Sequence, residues 1–461
     1  MGKPDFRNAG VGERPLNITD KTDRLVTATL LGGALILVGF TLWLQWFWAG
    51  SSMDIDVYWE AGTRMMGGGA ELYQESQDPV NRVGLFIYPP FFATLFAPLT
   101  VLPRWLGYAV WGLTQLLLIA AGFRGTRRLC DVRGGPAGRL FYLLMGLGLI
   151  GAIWTNLQEG QVNMLLLSLL ATGLYQLERG RNMSGGLLLA AATHLKVIPI
   201  VLLPLLIAQR RFKAAGMMAG GLVVLWLAPL LYSVPNYGLA EGLRSNIRIT
   251  RDYADRIVSP RLEKQSAFAL GGARAPNNAL SAVARRYFDD GHKLSLNTDE
   301  RAPLIAQLPE GLVKWSGLAV GALLGALAML LAWRRRDSRL ARAGSVGLGL
   351  LAAALANLLF WPHHLCLLLL VLGPLVAAGI RRGDLRRGMV AVGLVLVLCY
   401  LPLLDRFAPF DWMAILGAPT LGVLMVFALV FIHFLRRAVA ETNDAPILPT
   451  NEETPTGNSA A

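Results

Sequence analysis

Residues 25–58 read LVTATLLGGALILVGFTLWLQWFWAGSSMDIDVY. From Leu25 to Gly50 there is no charged side chain. About 20 mainly apolar residues suffice for a helix to cross some 30 Å of hydrocarbon, so this run is long enough to span a bilayer. Trp43, Trp46, Phe47 and Trp48 crowd its far end, where an aromatic belt marks the water interface. The run has no short hydrophobic core and no A-x-A site, and it reads as an anchor rather than a cleaved leader. Two carboxylates, Asp54 and Asp56, follow immediately, at the depth where lipid gives way to water.

Similar runs recur along the chain, at 105–123, 140–156, 162–177, 214–234, 312–333, 344–361, 365–380, 388–403 and 414–434. The composition agrees: 54% of the 461 residues are apolar and only 16% charged, whereas a soluble domain carries about 25% charged residues. A net charge of +13 would otherwise suggest nucleic acid, but a basic groove cannot be assembled from charges separated by bilayer-length apolar runs. Cys130, Cys366 and Cys399 are odd in number and show no C-x-x-C spacing, so neither a disulfide framework nor a zinc finger is implied.

Two stretches are ambiguous: 88–103, apolar but with four prolines, and 184–208, either one span or a hairpin broken around Lys196 and Pro199. Lys and Arg in short loops stay on the cytoplasmic side. With 88–103 lying on the surface and 184–208 crossing twice, 26 of the 43 Lys and Arg fall in inner segments, and the short outer loops keep only Lys196 and Arg406. A single 184–208 span would instead bury Lys196 at mid-bilayer, at roughly 3 kcal/mol on insertion scales. The expectation is an all-α polytopic membrane protein of about 12 transmembrane helices, with both termini cytoplasmic. Its parts are a core over 1–235 with outer loop 51–104, an extracytoplasmic cap over 236–311, five further spans over 312–437 and a disordered tail over 438–461.

Polar groups near a bilayer are expensive and are functional candidates by default. They gather on the outer side as Asp54 to Tyr58, Asn156 to Asn163, His194 with Lys196, and Trp361 to His364. A carboxylate at Asp54 or Asp56 suits a general base toward a hydroxyl, or merely caps a helix. Lys196 beside Pro199 suits an anionic headgroup or phosphate, or merely snorkels. Adjacent His363 and His364 rarely serve one ion, so no metal site is expected. The amides around Gln161 and Asn163 suit sugar hydroxyls, or only a polar turn.

Taken in order, D-x-x-V-Y-x-x-A-G (Asp54, Val57, Tyr58, Ala61, Gly62), Y-P-P-F (Tyr88 to Phe91), G-Q-x-N (Gly160, Gln161, Asn163), L-K-x-x-P (Leu195, Lys196, Pro199), Gln265-Ser266 and W-x-H-H (Trp361, His363, His364) resemble glycosyltransferase family 87, of the C-fold (GT-C) superfamily. The resemblance covers about 55–405. One departure is Lys264, where the family usually has Asn before the Gln-Ser step. The resemblance implies a seven-helix C-fold core and transfer of a sugar, most often mannose, from a polyprenyl phosphate to a lipid or glycan hydroxyl at the extracytoplasmic face of the inner (plasma) membrane. Asp54 is then the general base of an inverting displacement, with Asp56 as the alternative. Lys196, His363, His364, Arg248 and Arg251 would face the donor phosphate, and Tyr58, Gln161, Asn163, Gln265 and Ser266 the sugar or acceptor. No obligatory divalent metal or other cofactor is expected, and the partners are the donor, the acceptor and membrane lipids, not nucleic acid. A flippase of lipid-linked sugars is the alternative, disfavoured because its ionisable residues should line a path through the bilayer and not collect at one face.

Overall fold

The structure, a computed structural model, describes residues 18–48, 54–74, 84–259, 277–288, 304–404 and 410–436. Gln265, Ser266 and the tail 438–461 lie outside the described residues.

The apolar runs fold as helices because a backbone surrounded by hydrocarbon must satisfy its hydrogen bonds within its own segment. In chain order the first eleven helices are α1 (Asp20–Trp48), α2 (Asp54–Met66), α3 (Pro90–Phe96), α4 (Arg104–Leu129), α5 (Gly135–Gln158), α6 (Asn163–Glu178), α7 (Asn182–Leu195), α8 (Leu202–Ala208), α9 (Phe212–Leu225), α10 (Leu230–Tyr237) and α11 (Leu239–Tyr253). They are followed by α12 (Leu280–Phe288), α13 (Glu310–Arg334), α14 (Arg339–Ala356), α15 (Leu369–Arg382), α16 (Arg386–Leu394), α17 (Phe410–Ile415) and α18 (Ala418–Arg436). No strand occurs among the described residues.

Nine segments among the described residues are long and apolar enough to cross a membrane, and the protein is a multi-pass membrane protein. Against the twelve crossings expected, the shortfall is α6, of 16 residues, and the two arms of 184–208. Residues 88–103 form the short α3 and a 3-10 turn, Ala97–Val101, laid against α2. Gly62 makes that approach possible, since a Cβ there would stand 2.8 Å from Thr100 Cγ2.

The 184–208 stretch doubles back. Gly186 lies against Met217 and Met218, Gly221 against Ala190, and His194 Nε2 meets the Leu222 carbonyl at 2.8 Å. Contacts that advance together along both helices mean that α7 and α9 run parallel, so the chain between them returns through the 3-10 turn Ile198–Val201 and α8. Lys196 stands at the bend with an extended backbone, φ −143 and ψ 134.

Charge divides the two ends of the bundle. At one end Asp23 pairs with Arg139, Asp131 lies 3.9 Å from Arg339 and 3.6 Å from Arg381, and Glu178 sits between Arg211 at 2.7 Å and Arg342 at 2.5 Å. At the other end the chain presents Asp54, the 159–162 turn, Lys196 and the 3-10 turn Pro362–Leu368. The segment from Pro362 to Arg382, buried from His363 to Ile380, forms the axis between them. Small residues let its neighbours close on it: a Cβ on Gly347 of α14 would meet the Leu370 carbonyl oxygen at 2.4 Å, and one on Gly148 of α5 would meet Leu372 at 2.7 Å.

Candidate active site

Helix α2 begins with two acids, and carboxylates are favoured at a helix N-terminus. Two positions apart on a helix means about 200° of rotation, so Asp54 and Asp56 cannot face the same way. Asp56 turns inward, 4% exposed, and is bound by the Arg104 guanidinium and the Tyr108 hydroxyl. Asp54 turns to a cavity of about 990 Å³ and accepts a hydrogen bond from Gln161 Nε2. Of the two carboxylates, Asp54 lines the cavity and Asp56 anchors the helix.

Gln161 is itself fixed by the way α5 ends. Gly160, at φ +65, takes the left-handed position after the Glu159 cap. The Gly160 amide bonds to the Leu157 carbonyl at 3.2 Å and the Gln161 amide to the Asn156 carbonyl at 2.9 Å, the pattern of a Schellman motif. Helix α4 clamps the turn from outside: Trp111 Nε1 donates to the Gly160 carbonyl and Gln115 Nε2 to the Gln161 carbonyl, both at 2.8 Å. The Gln161 side-chain oxygen then accepts from the Tyr58 hydroxyl at 3.2 Å, the Tyr88 hydroxyl at 3.4 Å and Asn163 Nδ2 at 3.4 Å. With its oxygen so committed, the amide can only offer its NH2 to Asp54.

Across the cavity Lys196 Nζ lies 2.8 Å from His364 Nε2 and 5.7 Å from the centre of the Tyr88 ring. His364 Nδ1 accepts the Trp361 backbone N–H at 3.0 Å, which leaves the proton of a neutral ring on Nε2. With Lys196 as the amine this N–H donates to Nζ; with Lys196 as the ammonium the two groups are both donors and need a common acceptor. A phosphate oxygen is an acceptor that both can share. His363 lines the same wall, its ring 4.5 Å from that of His364.

Burial dominates the electrostatics. It holds the Asp54 carboxyl above its ordinary range, while the Gln161 hydrogen bond and the Lys196 charge pull the other way. Burial draws Lys196 down to about 8, opposed by Cys366 and Asp54. Burial and then the Asp54 charge push Glu159 up to about 7. Apart from Thr155 and Asn357, most of the remaining lining is apolar, including Val197, Ile198, Ile200, Val201 and Leu318. Val197 and Ile200 are 51% and 42% exposed, so this wall continues onto the outer surface of the bundle.

Asp54, Gln161, Lys196, His363 and His364 thus converge on one cavity. Tyr58 and Asn163 stand behind it, buried, and act on Gln161. Arg248 and Arg251 are not in its lining: they lie exposed on α11, paired with Glu241 and Asp255. An amphipathic helix turns its arginines to water, a face that loop reading could not assign. Gln115 and Trp111 are additions from the structure, lost in sequence among the apolar residues of α4. Glu159 and Tyr88 also line the cavity. Among the described residues no group of three or more His, Cys, Asp or Glu could hold a metal ion.

The model of glycosyltransferase family 87 matches residues 86–362, more than half of the chain. The chain belongs to glycosyltransferase family 87. Within the matched region of this family 87 protein lie Tyr88, Glu159, Gln161, Asn163, Lys196 and Trp361, whereas Asp54 precedes it and His363 and His364 follow it. A polyprenol-phosphate-mannose-dependent alpha-(1-2)-phosphatidylinositol pentamannoside mannosyltransferase of Mycobacterium tuberculosis (strain CDC 1551 / Oshkosh) is 31% identical over 136 residues, 28% of this chain and 30% of that protein. The family 87 chain therefore matches under a third of that relative's length. No solved structure matches it.

Proposed function

We propose that this family 87 glycosyltransferase moves a sugar, mannose foremost, from a polyprenyl phosphate to a hydroxyl of a lipid or glycan at the extracytoplasmic face of the inner membrane. The observation that carries the reading is that one cavity is lined by both a fixed carboxylate, Asp54, and a Lys196–His364 pair. Asp54 takes the proton of the acceptor hydroxyl as its oxygen attacks the anomeric carbon. The bond from that carbon to the phosphate oxygen breaks, and a single displacement inverts the anomeric centre. Negative charge grows on the departing phosphate, where Lys196 and His364 supply donors in a site partly shielded from water. The apolar wall from Val197 to Val201 with Leu318 suits the polyprenyl chain. The partial likeness to a polyprenol-phosphate-mannose-dependent enzyme supports this donor class and this sugar. The chemistry needs no obligatory divalent metal, because the leaving group is a monophosphate met by side-chain donors.

The test is transfer of radiolabel from polyprenyl-phosphate mannose to membrane acceptors. Asp54→Asn should lower turnover by about 10²–10⁴, the range for loss of a general base. Asp56→Asn should weaken folding by about 2 kcal/mol, through loss of hydrogen bonds to a charged group, yet retain most turnover per folded molecule. Full activity in the first variant, or matching losses in both, would remove Asp54 from the mechanism.

A further inference from the structure

The mechanism above leaves one carboxylate in the cavity without a task. Glu159 lines the cavity beside Asp54. No hydrogen bond or ion pair to its carboxyl is formed among the described residues, unlike Asp54 with Gln161 or Asp56 with Arg104. Its backbone is held by the same Schellman turn that aims Gln161, with the Glu159 amide bonded to the Thr155 carbonyl at 3.1 Å. A carboxyl on a fixed backbone, lining a cavity and lacking a partner among the described residues, is available to a ligand group.

Its position says which ligand. Glu159 shares its turn with Gln161, which donates to Asp54, whereas Lys196 pairs with His364 at the 184–208 bend. Asp54 therefore has Glu159 on its α5 side, and the Lys196–His364 pair belongs to another part of the same lining. If the phosphate and its lipid occupy the Lys196 side, as the proposed reaction requires, then the acceptor approaches past Glu159. A carboxyl there accepts hydrogen bonds from hydroxyls and disfavours a phosphate or sulfate brought in on the acceptor.

We propose that Glu159 is an acceptor-binding residue, holding a hydroxyl of a neutral polyol next to the hydroxyl that Asp54 deprotonates. This rests on the transferase reading and adds to it the chemical class of the acceptor: an uncharged sugar diol at the point of attack.

The experiment uses the full chain in lipid nanodiscs, polyprenyl-phosphate [14C]mannose as donor, and octyl α-D-mannopyranoside or its 6-phosphate as acceptor. In Glu159→Ala the acceptor KM should rise about tenfold, the loss of one good hydrogen bond, while the donor KM stays within about twofold. Glu159→Gln should recover part of that rise, because an amide still accepts from a hydroxyl. In both variants the preference for the neutral over the phosphorylated acceptor should fall severalfold, which a merely structural role would not produce. An unchanged acceptor KM with unchanged preference would overturn the proposal, as would equal rises in both KM values. Absence of any transfer by the wild-type chain would instead overturn the transferase reading beneath it, and the Glu159 assignment with it.

Discussion

In the proposed reaction Asp54 and Lys196 have opposite requirements, and their surroundings set both limits of a pH profile. Asp54 works ionised, so kcat/KM, which reports the free enzyme, rises as pH passes its pKa. Burial moves that rise upward from the ordinary carboxylate range, and the Gln161 hydrogen bond and Lys196 charge partly restore it. Lys196 works protonated, so activity falls as pH climbs through about 8. Gln161→Ala removes a hydrogen bond that favours the ionised carboxylate, and the acid limb should then shift to higher pH while the alkaline limb stays in place. An acid limb that does not move would mean that Gln161 does not act on Asp54. Glu159, the other acid facing Asp54, remains in that variant, so the shift belongs to the lost amide. Sequence reading identifies the Asp54–Asp56 pair and Lys196 because charge beside hydrocarbon is conspicuous. It cannot choose between Asp54 and Asp56, since the choice depends on Arg104 and Tyr108, about 50 residues away on α4. Gln115 is invisible for the opposite reason, a polar residue inside a span whose partners among the described residues are a distant backbone carbonyl and Asn156.

At the scale of the element, the C-terminus of α5 does the positioning. A left-handed residue at 160 is what lets the chain reverse and present Gln161 to Asp54 and Glu159 to the cavity. Gly160→Ala forces a side chain into that conformation at a cost of about 1–2 kcal/mol. Relief by unwinding the last turn would swing Gln161 away. The expected outcome is a membrane-inserted protein whose turnover falls at least about tenfold, with a donor KM close to wild type because Lys196 belongs to a different element. A variant with full turnover would show that the turn tolerates the strain without moving Gln161. Helices were the most legible elements, because a span declares itself by length and composition. The doubling back at 184–208 was legible only through charge: Lys196 in a single span would lie at mid-bilayer, and placing it at a bend removes that cost. The extent of α6, whose 16 residues are largely buried, was less legible, since a helix surrounded by protein need not match the bilayer in length.

On the whole molecule, the +13 net charge resolves into geometry. Arg139, Arg211, Arg339, Arg342 and Arg381 all meet their acids at one end of the bundle, and Asp54, Lys196 and the Pro362–Leu368 turn lie at the other. Such a division is what the retention of Lys and Arg on the cytoplasmic side produces. In the proposed reaction the cavity then lies outside, within reach of a lipid-linked sugar in the outer leaflet, and the gathering of Asp54, Lys196, His363 and His364 in one cavity favours that reading over a flippase. The orientation can be tested without activity. Cys130, Cys366 and Cys399 are all buried, so a membrane-impermeant maleimide should report single introduced cysteines. Ala240, exposed at the start of α11, and Arg179, exposed at the Glu178 end of α6, mark the two ends. In intact cells Ala240→Cys should label and Arg179→Cys should label only after permeabilisation. The reverse pattern would put the cavity in the cytoplasm, where the donor's phosphate would have to lie in the inner leaflet, and the extracytoplasmic reaction would have to be abandoned even if Asp54 remained its base.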